Sequence, residues 1–286
     1  MRSVLKKIPG ARKLHDWLSR TLFSDSLQNE EILRGFINGN GWLFSQPKTG
    51  TNLISSSIAF YNAETLGLSD YGFDDRYRLG MVHGGSIIKS SEGIQEALSF
   101  QELSTRMMIV RWHDDVPGAC PRLVICTTRG LLDQLTSLWH YKYRPMGVSV
   151  ENAIPTLVEL FVQRDRHQFH AVRRAEDSVV VSYENLIADP HKELSRILKK
   201  AYGDVDGDAL ERALRHADKK NFKKWESERG APAISKDLGK YESSFIRSGR
   251  IGEGAEFFSD GQKSQIWRLV GRLTTSEQLS SDVSIR

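Results

Sequence analysis

Between an apolar run at 42–45 and a helix-like stretch from 51, the chain reads WLFSQPKTGTNLISSSIAF, so that Pro47, Lys48, Thr49, Gly50, Thr51 and Asn52 fill a strand-to-helix turn. That composition suits an anion. Backbone N–H groups at a helix start point outward, the aligned peptide dipoles favour negative charge there, and Lys48 adds a full positive charge. The turn is not a Walker A loop, because GxxxxGK[ST] is absent and the lysine precedes the glycine. Taken alone, the segment also fits an ordinary strand-to-helix turn with a solvated lysine. No metal-ligand spacing accompanies it. Cys120 and Cys126 have neither CxxC nor Cys/His spacing and fit free thiols in a reducing compartment.

The elements that must hold this turn alternate in type. Trp42 to Ser45, Met107 to Val110, Leu123 to Thr127 and Val179 to Tyr183 are short apolar or β-branched runs that predict strands. Ile154, Leu157, Val158, Phe161 and Val162 recur at helical spacing, and Leu194, Ile197 and Leu198 mark a further helix after Pro190. Short apolar strands separated by helices predict an α/β fold with a central parallel sheet covered by helices on both faces. Residues 223 to 256 are rich in Lys, Glu, Ser and Gly and predict a long loop, a lid or a solvated excursion. The domain organisation expected is a basic amphipathic arm over 1–38, one domain over 39–275 and a polar, frayed tail over 276–286.

Four segments in order give the turn a context. They are PKTGTN at Pro47 to Asn52; the strand-like ICTTR ending in Arg129, with Ser137 eight positions on; VSYENL at Val181 to Leu186; and FIRSGRIGEGAEFF at Phe245 to Phe258. Together they resemble the sulfotransferase family that uses 3′-phosphoadenosine 5′-phosphosulfate (PAPS), whose corresponding segments read like PKSGTT, an Arg with a Ser eight later, VSYEDL, and RKG followed by GDW. The chain departs from that pattern at Gly130 and Leu131, where the family has Asn-Pro, at Ser248 for the Lys of RKG, and at Gly254 for the Trp of GDW; Asp133 keeps the family spacing.

The resemblance implies a P-loop-like sulfotransferase fold, PAPS as co-substrate without a metal, and transfer of a sulfuryl group to a hydroxyl of a glycan, glycolipid or small metabolite. Carried over residue by residue, Lys48, Thr49, Gly50, Thr51 and Asn52 cradle the 5′ end of the nucleotide, Arg129 and Ser137 hold its 3′-phosphate, Tyr183 lies near the adenine, and Arg247 and the Gly249 backbone N–H present further contacts to the 3′-phosphate, with one cation fewer because Ser248 replaces the Lys of RKG. In-line transfer asks the protein mainly for positioning and charge stabilisation, and a lysine at the leaving oxygen meets charge that grows as the S–O bond breaks. Lys48 takes that role. The acceptor hydroxyl needs a base, and the family's KTHLP-like segment aligns with VRWHDDVP, which places His113 just after a strand; a histidine titrates near working pH. Arg111 and Trp112 replace the family's Lys and Thr, and a surface histidine beside Asp114 and Asp115 is the competing reading. His83 belongs to a Gly-rich loop, where it fits an exposed residue or one lining the acceptor site; His140 reads as structural; and Trp139, Tyr141 and Tyr143 fit either walls of an acceptor pocket or, as aromatics on a buried helix more often are, core.

Two other functions stay open at this level. One is an ATP-dependent phosphotransferase, which the missing GK[ST] and the absence of a strand-end Asp for Mg²⁺ disfavour. The other is a nucleotide-binding or membrane-surface module without transfer activity. The charge distribution narrows the partners. The chain of 286 residues has 40 basic and 36 acidic residues, but residues 1–20 hold six of the basic ones and a single acid, Asp16, leaving 34 against 35 in the remainder. A neutral body does not support a broad nucleic-acid surface. The basic excess lies in an arm whose Leu14, Trp17, Leu18 and Leu22 share one helical face, so residues 1–23 suit packing on the domain, peripheral contact with an anionic membrane or an organellar transit segment. No run is long enough to span a bilayer and no secretory signal is legible, which predicts a cytoplasmic protein.

Overall fold

The computed structural model describes residues 26–73, 79–83, 106–229 and 249–283. Five strands, β1 (Gly41–Ser45), β2 (Met81–His83), β3 (Ile109–Trp112), β4 (Leu123–Thr128) and β5 (Asp177–Ser182), form one sheet in the order β2-β3-β1-β4-β5. All pairings are parallel. Phe44 lies opposite both Trp112 and Cys126, and Thr128 lies opposite Ser182. The register brings the last residues of β1, β3, β4 and β5 to one edge, just before Gln46, His113, Arg129 and Tyr183. After β1 the chain builds β2 and β3 on one side and then crosses to β4 on the other. The strand order therefore reverses at β1, and in open parallel sheets the ligand crevice lies outside the carboxyl ends at such a reversal.

Both faces are covered over β1, β3 and β4, which is why these strands are buried at successive positions; on the edge strand β5, Val179 and Val181 are buried and Val180 is exposed. On one face Leu43, Ile109, Leu123, Ile125, Val179 and Val181 pack with α2 (Thr51–Thr65), α6 (Pro190–Tyr202) and α7 (Gly207–His216), through Ile54, Ile58, Ile197 and Leu210. On the other, Trp42, Phe44, Val110, Val124 and Cys126 meet Leu33 and Ile37 of α1 (Ser26–Ile37) and Ala171 of α4 (Val150–Arg174). The Trp42 and Phe44 rings stack at 4.4 Å. A third cluster joins α3 (Leu131–Leu138) and α4 to Phe258 and to Ile266 of α10 (Asp260–Val283). Helices α5 (Tyr183–Ala188), α8 (Lys219–Arg229) and α9 (Glu253–Phe257) complete the described part. No helix among the described residues is long and apolar enough to cross a membrane.

The structure corrects several boundaries. β3 begins two residues later than the apolar run at 107–110 predicts, so Arg111 and Trp112 belong to the strand. His83 ends β2 rather than lying in a loop, because Met81–His83 pair with Ile109–Arg111. The predicted loop over 223–256 is helical at both ends, in α8 and α9, and residues 230–248 lie outside the described residues. α8 shows little apolar periodicity; it is anchored by a few aromatic contacts, Phe222 and Trp225 meeting the Phe73 ring at 5.3 and 5.7 Å. The tail expected to fray from 276 continues α10 to Val283. Residues 1–23, with their proposed membrane face, lie outside the described residues, whereas Leu33 and Ile37 farther along the predicted arm are buried against the sheet.

Candidate active site

The turn after β1 is built to present backbone to a ligand. Gly50 has φ 90°, and a Cβ there would lie 2.9 Å from Leu186 Cδ2 and 3.2 Å from Tyr183 Cδ2, so only glycine lets α5 approach the turn this closely. Lys48 itself adopts a left-handed φ of 69°, rare for a lysine and held in place by its neighbours. The Thr49 hydroxyl donates to the Gln46 carbonyl at 2.6 Å and touches the Thr127 hydroxyl of β4. The first turn of α2 carries no acidic residue, which keeps its N-terminal dipole available to an anion. Asn52 accepts from the Arg111 guanidinium at 2.9 Å.

His113 is fixed by the end of β1. Its Nδ1 lies 2.7 Å from the Ser45 carbonyl and 3.3 Å from Ser45 Oγ, which also accepts from Thr51 Oγ1 at 2.7 Å. A carbonyl can only accept, so Nδ1 carries the hydrogen and the neutral ring keeps its lone pair on Nε2, the form a general base needs. The competing view of His113, a surface residue beside acids, meets a different arrangement. Asp115 pairs with Arg174 at 2.5 Å and Asp114 with Arg164 at 3.4 Å, so both carboxylates tie the loop after β3 to α4.

Arg129 organises the opposite wall. Its side chain is only 5% exposed and lies 4.0 Å from Asp133, itself 7% exposed. One guanidinium nitrogen donates to the Lys48 carbonyl at 3.1 Å and the other to the Arg250 carbonyl at 3.0 Å, while the charge sits 4.3 Å from the Tyr183 ring centre. Its Nε is buried with no hydrogen-bond partner among the described residues. The Tyr183 hydroxyl donates to the Gly249 carbonyl at 2.9 Å, and burial raises its pKa while Arg129 lowers it. Ser137 is half-buried on α3, one turn beyond Asp133 and so on nearly the same helix face. Arg247 lies outside the described residues.

The departure at Gly254 has a steric reason. Asp133 accepts from the backbone N–H groups of Gly252 at 2.7 Å and Gly254 at 2.6 Å, pulling the 249–254 segment onto α3. A Cβ on residue 254 would sit 2.5 Å from the Asp133 nitrogen and closer still to the Leu132 carbonyl carbon, both immovable backbone. Gly254→Ala must therefore separate the two segments. We expect a loss of about 1–3 kcal/mol in folding stability, visible as a lower melting temperature.

Residues without titratable chemistry also shape the site, and the sequence offers no signal for them. Gln46, Gln134 and Gln168 are each at most 4% exposed. Gln134 Nε2 donates to Gln46 Oε1 at 2.7 Å, Gln46 Nε2 donates to Gln168 Oε1 at 3.4 Å, and Gln168 Nε2 donates to the carbonyls of Phe44 at 2.6 Å and Thr127 at 3.3 Å. One amide from α4 thus clamps the ends of the two strands that carry the Lys48 turn and Arg129. Beyond α3 the helix widens into a π-helical turn, Trp139–Tyr143. Trp139 anchors it by donating from Nε1 to the Val148 carbonyl at 3.1 Å and by packing on Phe257 at 5.3 Å, and Tyr143 is buried, as the core reading expects. Tyr141 differs from that reading: its ring faces Lys48, with Nζ 4.4 Å from the ring centre. Burial, followed by the nearby Glu226 charge, pushes its hydroxyl up to about 12. The adjacent Lys142 is lowered to about 8, first by burial and then by the positive Arg164.

No family model matches the chain, and no curated protein matches it in sequence. Solved structures do match. Retinol dehydratase with androsterone and the inactive cofactor PAP aligns at a TM-score of 0.56 and 13% identity over 86% of this chain and 84% of that one. Its complex with retinol and PAP aligns at 0.55 and 14% over the same shares, and mouse sulfotransferase SULT7A1 with PAP at 0.56 and 16% over 85% and 88%. The fold is that of the sulfotransferases. In this sulfotransferase fold the five-stranded parallel sheet brings the Lys48 turn, His113, Arg129 and Tyr183 to one edge. Among the described residues no group of three His, Cys, Asp or Glu side chains could hold a metal.

Proposed function

We propose that the protein is a PAPS-dependent sulfotransferase that transfers a sulfuryl group to a hydroxyl of its acceptor. The observation that carries this reading is the buried Arg129 guanidinium, bridged to the carbonyls of Lys48 and Arg250 and stacked on Tyr183, with a buried Nε–H that has no partner among the described residues. A guanidinium has five N–H donors, so bonds to two carbonyls leave capacity for a phosphate. The nucleotide needs two anionic groups held apart. The helix start at Thr51 and Asn52 with Lys48 fits the sulfated end, and Arg129 with Ser137 fits the 3′-phosphate. Tyr183, Gly249 and Arg247 complete the nucleotide side, and the solved neighbours that bind PAP support the same cofactor class.

In this reading the acceptor hydroxyl gives its proton to His113 Nε2 as its oxygen attacks sulfur, and the bond from sulfur to the bridging phosphate oxygen breaks on the far side. Lys48 stabilises the negative charge that accumulates on that departing oxygen. The Ser45 carbonyl holds the imidazole in the required tautomer and stabilises the imidazolium once formed. The transferase domain includes α1, whose Leu33 and Ile37 pack on the sheet, and the basic residues 1–23 before it suit contact with an anionic surface.

Titration calorimetry with 3′-phosphoadenosine 5′-phosphate (PAP) and with ATP tests the assignment. We expect PAP to bind at least about tenfold more tightly, because ATP lacks the 3′-phosphate that a charged hydrogen bond of about 1.5–3 kcal/mol would recognise. Preference for ATP would favour the phosphotransferase reading and overturn this one.

A further inference from the structure

We propose that Tyr141 is a positioning residue for the reaction, acting through Lys48 by holding its ammonium group against the ring face. The inference rests on the sulfotransferase reading of Lys48. The ring centre lies 4.4 Å from Lys48 Nζ, within the range in which an aromatic quadrupole attracts a cation. The start of the lysine side chain is already fixed. Its backbone is held at φ 69°, Arg129 bonds its carbonyl at 3.1 Å, and Thr49 closes the turn onto Gln46 at 2.6 Å. Beyond the Cα lies a flexible four-carbon stem ending in a point charge. A rigid ring at its far end selects among those rotamers.

The π-helical turn explains why the ring is there. α3 carries Asp133 and Ser137 on the side of Arg129, and the chain runs straight from α3 into Trp139–Tyr143. A π turn inserts an extra residue and rotates the side chains beyond it relative to an α-helical continuation, and such turns are frequent at functional sites. Trp139, bonded to the Val148 carbonyl and packed on Phe257, holds the turn in that setting. The choice of an aromatic partner matters chemically. A carboxylate in the same place would neutralise the ammonium that the leaving oxygen requires, whereas a ring attracts the cation by its face and leaves the charge available. Burial pushes the Tyr141 hydroxyl up to about 12, so the ring stays neutral across the physiological range.

Tyr141→Phe and Tyr141→Leu separate ring from hydroxyl. Activity is read with labelled PAPS and a panel of phenolic, alcoholic and glycan hydroxyl acceptors, and PAP affinity is measured alongside. We expect both variants to bind PAP within about threefold of the unaltered protein, Tyr141→Phe to keep its kcat within about threefold, and Tyr141→Leu to lose about tenfold or more in kcat, the size of a desolvated cation–π contact. A spectroscopic arm needs no acceptor: in the protein labelled with ¹³C at lysine Cε, the Lys48 resonance moves out of its ring-shifted position in Tyr141→Leu and keeps it in Tyr141→Phe. Unchanged kcat or an unchanged Lys48 resonance in Tyr141→Leu would overturn the proposal, as would a loss confined to acceptor KM or one shared equally by Tyr141→Phe. Failure of the unaltered protein to bind PAP would instead remove the sulfotransferase reading beneath it.

Discussion

On the proposed chemistry, Lys48→Met is expected to lower kcat by about 10²–10³ with the nucleotide still bound, and His113→Ala to lower it by about 10²–10⁴, the ranges for losing a charge-stabilising group and a general base. The Lys48 effect falls on turnover because the bridging oxygen gains its charge only as the S–O bond breaks, so the ammonium contributes more to the transition state than to the bound substrate. The backbone of the turn survives the change, since Arg129 bonds the Lys48 carbonyl and Thr49 the Gln46 carbonyl, neither through the lysine side chain. His113→Ala removes the Nδ1 bond to Ser45 along with the base, but Ser45 Oγ keeps its bond from Thr51, so the turn stays braced. The measurement is single-turnover transfer from PAPS beside calorimetric binding of PAP. Retained transfer in both variants would sink the proposed chemistry, and loss of PAP binding in His113→Ala would assign that residue to the nucleotide rather than to the acceptor.

On the same proposal, Arg129→Ala is expected to weaken PAP binding by about 100-fold or more, the loss of one or two charged hydrogen bonds of about 1.5–3 kcal/mol each. It also acts on the fold, because the guanidinium bridges the turn after β1 to the segment at Arg250 and pairs with the buried Asp133. Removing one partner of a buried pair commonly costs about 3–5 kcal/mol. Here the cost falls toward the lower end, since Asp133 keeps the N–H groups of Gly252 and Gly254. Arg129→Lys separates the two effects. It retains a charge near Asp133 but has no planar fork, so stability recovers further than PAP affinity does. An Arg129→Ala protein that binds PAP as well as the unaltered one would show that the 3′-phosphate is held elsewhere.

The sequence by itself determined the class of fold and most of the chemical inventory, for a local reason. Strands buried on both faces must be apolar along their length, so β1 and β4 are legible as short runs; β5, an edge strand with Val180 exposed, is legible from its β-branched valines instead; and the residues that come after such strands end at one edge whatever lies between them. Lys48, His113, Arg129 and Tyr183 each come within three residues of a strand end, so their placement together needed only the sheet. Residues whose importance depends on what lies opposite them were decided by the tertiary structure alone. Neutral amides have no charge or periodic signature, so the Gln46, Gln134 and Gln168 clamp was invisible. Gly254 reads as a lost tryptophan until the backbone of Leu132 and Asp133 is found against it. Tyr141 reads as another core aromatic beside Trp139 and Tyr143, and only the π turn aims its ring at Lys48. The basic excess that marks the whole chain belongs to its first 20 residues; the site obtains its positive field from a few side chains held by long-range hydrogen bonds.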